Sequence, residues 1–120
     1  MLYSKTVLEH LENPRNQGEM PDAHTSREVV NSACGDRVVL FIKCSDQKIT
    51  AALMKAYGCP PTIAVASFLT EWLRDKTIRE ALTLEADKLI ALLDGLPRGK
   101  RHAADLAIEA LHKTLSSILK

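Results

Sequence analysis

The sequence predicts an α+β fold in which a three-stranded antiparallel sheet packs against helices, the last of which is long. Two observations lead to this prediction. Apolar residues alternate with a period of two through the middle of the chain, and they recur every three or four residues from position 60 onward. Strands that come first and helices that follow are typical of α+β proteins, whose helices cover one face of the sheet.

The first predicted element is a short helix from Ser4 to Leu11. Val7, Leu8 and Leu11 recur at helical spacing, and Ser4 is a suitable N-cap. Pro14 biases the residue before it away from helical geometry, so the helix ends there. Residues 21–26 then read as a loop.

Three strands are predicted next. Val38, Leu40 and Ile42 alternate with neighbours in a run rich in β-branched residues, and turn-forming residues follow at 45–48. A second strand is predicted from Ile49 to Tyr57, and a weaker one from Glu28 to Asn31. Three short strands in succession favour an antiparallel meander. One face of the second strand is expected to carry Ile49, Ala51, Leu53 and Tyr57.

The second half of the chain predicts helices. Pro60 and Pro61 suit the first turn of one helix, and shorter helices are expected at Thr77–Leu82 and Leu84–Leu93. The loop Leu96–Gly99 leads to the final helix. A single buried stripe is expected along that helix, formed by Ala104, Ile108, Leu111, Leu115 and Ile118.

Length and composition exclude several classes of protein. The 120 residues predict one domain, residues 1–120, large enough to form a core without a disulfide or structural metal. A net charge of +1, with two Phe, two Tyr and one Trp, argues against nucleic-acid binding. The first 20 residues lack the apolar centre of a signal peptide, and no run is long enough to span a membrane. A cytoplasmic protein without membrane contact is therefore expected.

Pairing the hairpin strands brings chemically useful residues together. If the turn is centred between residues 46 and 47, partners across the strands have numbers that sum to about 93. Asp36 then lies opposite Tyr57, and Cys34 lies opposite Cys59. Cys44 lies at the turn end instead, ~33 Å of extended chain from Cys34. It is interpreted as a structural or incidental thiol.

The thiolates of Cys34 and Cys59 and the carboxylate of Asp36 would supply three of the four ligands of a tetrahedral metal site. Cys59 directly precedes a helix, whose positive end favours a thiolate. His102, at the start of the last helix, is the best placed of four histidines to be the fourth ligand; His10 and His24 are other possibilities, and His112 is expected on the surface. Each cysteine could equally be a small buried hydrophobe.

Four motifs in order resemble the IscU, SufU and NifU N-terminal-domain group of iron–sulfur cluster assembly scaffolds, over almost the whole chain. They are Tyr3-Ser4 with Asn13-Pro14-Arg15-Asn16-Gln17-Gly18, Cys34-Gly35-Asp36, Gly58-Cys59, and Leu96-Pro97 with Lys100, His102 and Leu106-Ala107. The resemblance implies a [2Fe–2S] cluster held by three cysteines and an Asp or His, with zinc bound instead in many members. Carried over, the metal ligands are Cys34, Asp36, Cys59 and His102.

The resemblance also implies partners, and this chain differs from the family at one ligand position. The partners are a cysteine desulfurase, apo-protein clients and a chaperone that contacts Leu96–Lys100. Cys59 or Cys34 is the candidate sulfur acceptor, while Lys100 and Arg101 are candidate contacts for an anion or partner. Where the scaffolds have their third cysteine, this chain has Ala103.

Two functions remain open at this point. The first is a scaffold-like protein that binds iron, an iron–sulfur cluster or zinc. The alternative is a degenerate paralogue, a mononuclear zinc-binding interaction or regulatory protein that no longer assembles clusters. An enzyme is not expected, because the sequence contains no His-Glu pair on a helix and no Cys-x-x-Cys pair.

Overall fold

A computed structural model describes residues 3–31 and 35–118 of the chain. Its strands form one antiparallel sheet in the order β1-β2-β3, so the predicted α+β meander is confirmed. None of the helices in these two ranges is long and apolar enough to cross a membrane. The elements are α1 (Lys5–Glu12), β1 (Thr25–Asn31), β2 (Asp36–Ser45), β3 (Lys48–Tyr57), α2 (Pro60–Leu73), α3 (Ile78–Leu82), α4 (Ala86–Leu92) and α5 (Arg101–Ser116), with a 3-10 turn at Arg98–Lys100.

Strand β1 begins earlier than the sequence suggested. Thr25 pairs with Ile42 and Ser26 with Phe41, so the expectation of a loop over residues 21–26 is wrong at its end. The buried hydroxyl of Thr25 donates a hydrogen bond to the carbonyl of Thr114, 2.7 Å away on α5. This contact joins residues 89 positions apart, and no local pattern reveals it.

The β2–β3 hairpin has the predicted turn. Asp46 and Gln47 both have positive φ, +51° and +69°. A two-residue turn of this kind matches the twist of the strands that it joins. Ser45 therefore pairs with Lys48, and the numbers of paired residues sum to 93 next to the turn, as predicted.

A β-bulge changes that register away from the turn. Cys44 pairs with Ile49 but Lys43 pairs with Ala51, which leaves Thr50 as an extra residue on β3. Beyond it the paired numbers sum to 94, and Tyr57 pairs with Arg37. The predicted pairing of Asp36 with Tyr57 is therefore wrong by one position.

The bulge also corrects the predicted faces of β3. Ile49 lies on the buried face, whereas Ala51, Leu53 and Tyr57 lie on the opposite face, because the extra residue reverses the alternation. The buried face of β3 is formed by Ile49, Ala52 and Met54.

The core lies between the sheet and the helices. Helix α2 has apolar residues around most of its surface and packs against β3, α1 and α5. Leu40, Leu69 and Leu111 are fully buried, and shortening any one of them to Ala is expected to cost about 2–5 kcal/mol. His112, expected on the surface, is partly exposed there, and its Nε2 lies 2.9 Å from the carbonyl of Leu84.

The segment between α1 and β1 extends along the sheet. The carbonyl of Asn16 accepts a hydrogen bond from the Met54 amide, and the Gly18 amide donates one to the Met54 carbonyl. Further on, Glu19 pairs with Lys55 and Asp22 with Lys43. Both lysines belong to the face of the sheet that points away from the helices, so this segment passes over that face.

Helix α1 is fixed to α2 through a buried histidine. Nδ1 of His10 lies 2.6 Å from Oγ of Ser67, and the same oxygen accepts the backbone N–H of Arg15 at 2.8 Å. The imidazole meets the Phe68 ring edge to face, with the centroids 5.6 Å apart. Burial lowers the pKa of His10, and the nearby Arg15 guanidinium lowers it further, against the opposing effect of Glu71 and Glu9.

Acid is therefore expected to destabilise the fold through His10. The unfolded chain takes up this proton near pH 6.5 and the folded protein only at lower pH. The stabilisation contributed by the neutral imidazole of His10 is complete above about pH 6.5 and is lost as the pH falls through the pKa of His10 in the folded protein. The free energy of unfolding then falls by at most about 1.4 kcal/mol per pH unit. Urea unfolding between pH 7.5 and 5.5 measures the slope.

His10→Asn should flatten that slope. Ile42→Val, a buried change that costs about 0.5–1.5 kcal/mol without a titrating group, should lower stability equally at each pH. Equal slopes for the parent and His10→Asn would contradict the assignment.

Candidate metal centre

Asp36 begins β2 with its side chain directed into the interior, where only 1% of the residue is exposed. Continuing the β2–β3 register by one residue places it opposite Gly58. Gly58 has φ +125°, and a Cβ on it would overlap Oδ1 of Asp36, 2.7 Å from Cγ and 2.9 Å from Cα. The carboxylate occupies this position because residue 58 has no side chain.

Cys59 is the N-cap of α2. Its extended backbone, φ −72° and ψ 153°, turns the chain from β3 into the helix, and Pro60 and Pro61 occupy the first turn as predicted. The backbone N–H of Cys59 donates to Oδ1 of Asp36 at 3.1 Å, and Sγ lies 3.4 Å from Oδ2. The end of β3 and the start of α2 thus hold the carboxylate from two sides.

His102 lies in the first turn of α5. Its Nε2 is 3.4 Å from Sγ of Cys59 and 3.3 Å from Oδ2 of Asp36. The imidazole is 26% exposed, whereas the Asp36 side chain is 2% exposed. Cys59 is also partly exposed, so solvent reaches the sulfur and the imidazole while the carboxylate stays buried.

The carboxylate of Asp36 is held in its charged form. Burial alone would raise its pKa, but the hydrogen bond from the Cys59 amide, those from the Thr62 hydroxyl and the Cys59 thiol, and the nearby His102 together lower the pKa below its usual value. Asp36 therefore presents an ionised oxygen to the sulfur and the imidazole nitrogen.

Three of the four predicted ligands are thus brought together. One ligand atom each from Asp36, Cys59 and His102 lies within 4.8 Å of the others. An oxygen, a sulfur and a nitrogen at these separations suit zinc or ferrous iron. Cys34, the fourth predicted ligand, lies outside the described residues.

The remaining predicted residues lie elsewhere or have other partners. Cys44 is near the hairpin turn, where its amide donates to Nδ1 of His24. Arg101 is paired with Asp87 at 2.7 Å and with Asp105 at 3.7 Å. Ala103 follows His102 and is fully buried.

One residue of this cluster was not predicted. The hydroxyl of Thr62 donates to Oδ2 of Asp36 at 3.0 Å and lies 3.4 Å from Sγ of Cys59. The only signal in the sequence is its position three residues after the N-cap Cys59, where side chains commonly reach back to the helix start.

The family model described as the NifU-like N terminal domain matches residues 2–119. The chain belongs to this NifU-like family. The resemblance drawn from four short motifs is therefore confirmed over nearly the full length.

Several curated relatives of this NifU-like chain are described as scaffold proteins. It is 39% identical over 114 residues to iron-sulfur cluster assembly scaffold protein IscU 1 of Archaeoglobus fulgidus, with 95% of this chain and 74% of the relative covered. It is 40% identical over 116 residues to the IscU scaffold protein of Azotobacter vinelandii, with 92% and 89% covered.

Solved structures share the fold. The N-terminal NifU-like protein of Brucella abortus superposes with a TM-score of 0.75 at 18% identity, covering 97% of this chain and 93% of the other. A putative SUF-system scaffold protein of Fervidobacterium islandicum gives a TM-score of 0.68 at 21% identity, covering 98% and 96%.

Gly58→Ala is expected to disrupt the arrangement of Asp36, Cys59 and His102 in this NifU-like chain. Positive φ alone makes a side chain at this position unfavourable by about 1–3 kcal/mol, and the new Cβ would displace the Asp36 carboxylate. Urea unfolding should show a loss above about 2 kcal/mol.

Gly99→Ala is the matched control. Nothing lies within 4 Å of a Cβ at Gly99, so its stability should stay within about 0.5 kcal/mol of the parent. Similar unfolding curves for the two variants would show that residue 58 does not need to be glycine.

Proposed function

We propose that this protein is a scaffold on which iron and sulfide are assembled into a cluster, held briefly and passed on. The observation that carries the proposal is the convergence of Asp36, Cys59 and His102 at one end of the sheet, within 4.8 Å of one another. The scaffold function of the curated relatives, which match over most of the chain, supports it.

In this proposal Cys34, two positions before Asp36 in the sequence, completes a set of four ligands. Two thiolates, a carboxylate and an imidazole suit either one zinc or iron ion, or a [2Fe–2S] cluster with mixed ligands. The metal and the cluster are cargo, so the protein acts by binding and release and does not turn over a substrate as an enzyme does.

Binding requires Cys59 to lose its thiol proton, because the thiolate is the ligand. The sulfur lies 3.4 Å from both Oδ2 of Asp36 and Nε2 of His102. Since Cys59 is itself partly exposed, the proton can pass directly to solvent.

Release is favoured by the same ligand set. A carboxylate is a hard ligand, and iron prefers soft thiolates in a cluster. Asp36 and His102 therefore hold the cargo less firmly than cysteines would. We propose that a cluster with two such ligands transfers readily to an apo-protein client.

The proposed partners follow from this cargo. A cysteine desulfurase would supply sulfur when the thiolate of Cys59 or Cys34 attacks the enzyme persulfide, forming a new persulfide and releasing the enzyme thiolate. A two-electron reductant, such as a small dithiol, would then release the outer sulfur as sulfide and restore the thiolate. Lys100 and Arg101 directly precede His102 and would contact an anion or an acidic partner surface. The segment Leu96–Lys100 would contact a chaperone.

Ala103 favours a second candidate function. The scaffold group places a third cysteine at this position, and a site with only two thiolates is complete for a mononuclear ion. The second candidate is a zinc-binding interaction or regulatory protein that does not assemble clusters.

Anaerobic reconstitution with ferrous iron, cysteine, a desulfurase and a dithiol reductant, which converts persulfide sulfur to sulfide, distinguishes the two functions. A scaffold should acquire a visible absorbance band and about two iron and two sulfide ions per chain, as a [2Fe–2S] cluster requires. Asp36→Ala, Cys59→Ser and His102→Ala should each reduce this yield. About one zinc per chain, with no iron or sulfide after reconstitution, would reject the scaffold function.

Ala103→Cys tests the effect of the missing thiolate. A third cysteine beside His102 should slow loss of the cluster to a chelator, because thiolates are the principal cluster ligands. Ala104→Cys is the control, since Ala104 is equally buried but lies on another side of α5. Equal cluster lifetimes for the two variants would show that residue 103 does not limit cluster binding.

A further inference from the structure

Thr62 contacts two of the three clustered ligand residues. It is 1% exposed, in the first turn of α2. Its Oγ1 lies 3.0 Å from Oδ2 of Asp36 and 3.4 Å from Sγ of Cys59. Its backbone N–H donates to the carbonyl of Cys59 at 3.0 Å, which fixes the direction from which the hydroxyl approaches.

The two oxygens of Asp36 are held by different groups of the same helix turn. Oδ1 accepts the backbone N–H of Cys59 at 3.1 Å, and Oδ2 accepts the hydroxyl hydrogen of Thr62. A carboxylate bound at both oxygens cannot rotate about its Cβ–Cγ bond without breaking a buried hydrogen bond. Loss of such a bond costs about 1–3 kcal/mol.

The orientation that results matters because of what Oδ2 faces. This oxygen lies 3.4 Å from Sγ of Cys59 and 3.3 Å from Nε2 of His102, whereas Oδ1 is occupied by the backbone. Oδ2 is therefore the carboxylate oxygen available to a metal beside sulfur and nitrogen. If the Thr62 hydroxyl is removed, the Cys59 thiol is the one group of this helix turn that still contacts Oδ2, among the hydrogen bonds of the described residues.

We propose that Thr62 is a positioning residue that orients the Asp36 carboxylate for metal binding. The inference rests on the proposed function for its purpose, but the orientation itself exists in the metal-free protein. Groups that orient a ligand from outside the coordination sphere typically contribute 10–100-fold to metal affinity. A hydroxyl that stabilised only the helix would leave the affinity of the folded protein unchanged.

The test compares Thr62→Val, which keeps the shape of the side chain, with Thr62→Ser, which keeps the hydroxyl. Thr70→Val is the control, because Thr70 is a buried threonine of the same helix whose hydroxyl donates to the Ser67 carbonyl, away from the cluster. Thr62→Ala is a second hydroxyl deletion that tests the same point if the valine variant folds poorly.

Two measurements are made on the full chain. Without metal, NMR hydrogen exchange follows the Cys59 amide, whose N–H is bonded to Oδ1. With Co²⁺ as the probe, competition with a chromophoric chelator gives the dissociation constant. Thr62→Val should accelerate exchange at Cys59 at least about tenfold relative to other α2 amides and weaken Co²⁺ binding about 10–100-fold. Thr62→Ser and Thr70→Val should stay within about threefold of the parent.

The outcomes separate this inference from the proposed function. Unchanged exchange at Cys59 in Thr62→Val would overturn the inference whether or not metal binds. Faster exchange with Co²⁺ affinity within about threefold of the parent would also overturn it, since the hydroxyl would then be only structural. If the parent binds no Co²⁺ while Thr62→Val still accelerates exchange, the metal-binding function fails and the orientation of Asp36 by Thr62 stands.

Discussion

The carboxylate of Asp36 can enter the interior only because residue 58, opposite it across the hairpin, has no Cβ. Burying a charge is costly unless hydrogen bonds replace its water, and here the first turn of α2 supplies them through Cys59 and Thr62. The sheet and α2 therefore meet at the ionised carboxylate of Asp36. His102 brings α5 to the same point, so the geometry of the site and the junction of three elements depend on a single close approach.

Much of the fold was accessible from the sequence because its signals are local. Periodicity located the strands and helices, and Ser4, Pro60 and the turn at residues 46–47 marked their ends. The start of β1 was not accessible, since Thr25 is held by Thr114 at the far end of the chain. The hairpin register was missed by one residue because Thr50 bulges in a run of strand-forming residues with no glycine or proline to mark it.

The candidate site likewise has residues that could be identified from the sequence and one that could not. Asp36 and Cys59 were found because their residue types are distinctive and the strands beside them could be paired from the sequence. His102 was found because it lies at the start of the last helix and matches a motif of the family. That pairing succeeded despite the register error, since a one-residue shift leaves Asp36 and Cys59 at the same end of the hairpin. Thr62 was missed because a threonine near a helix start is common, and its role depends on which carboxylate faces it. Ala103 is the reverse case, a departure visible only in the sequence.

The bulge at Thr50 decides which residue lies opposite Asp36. If the same residues formed a regular ladder, Thr50 would pair with Lys43, and every later pair would keep the sum of 93 found beside the turn. Tyr57 would then lie opposite Asp36, and its phenol would occupy the space that the carboxylate needs. An irregularity ~26 Å away along the strand thus brings Gly58 into place. A change in the number of residues between Thr50 and Gly58 would therefore move Gly58 away from Asp36 and disturb the site as a change of a ligand would, although the bulge does not touch the ligands.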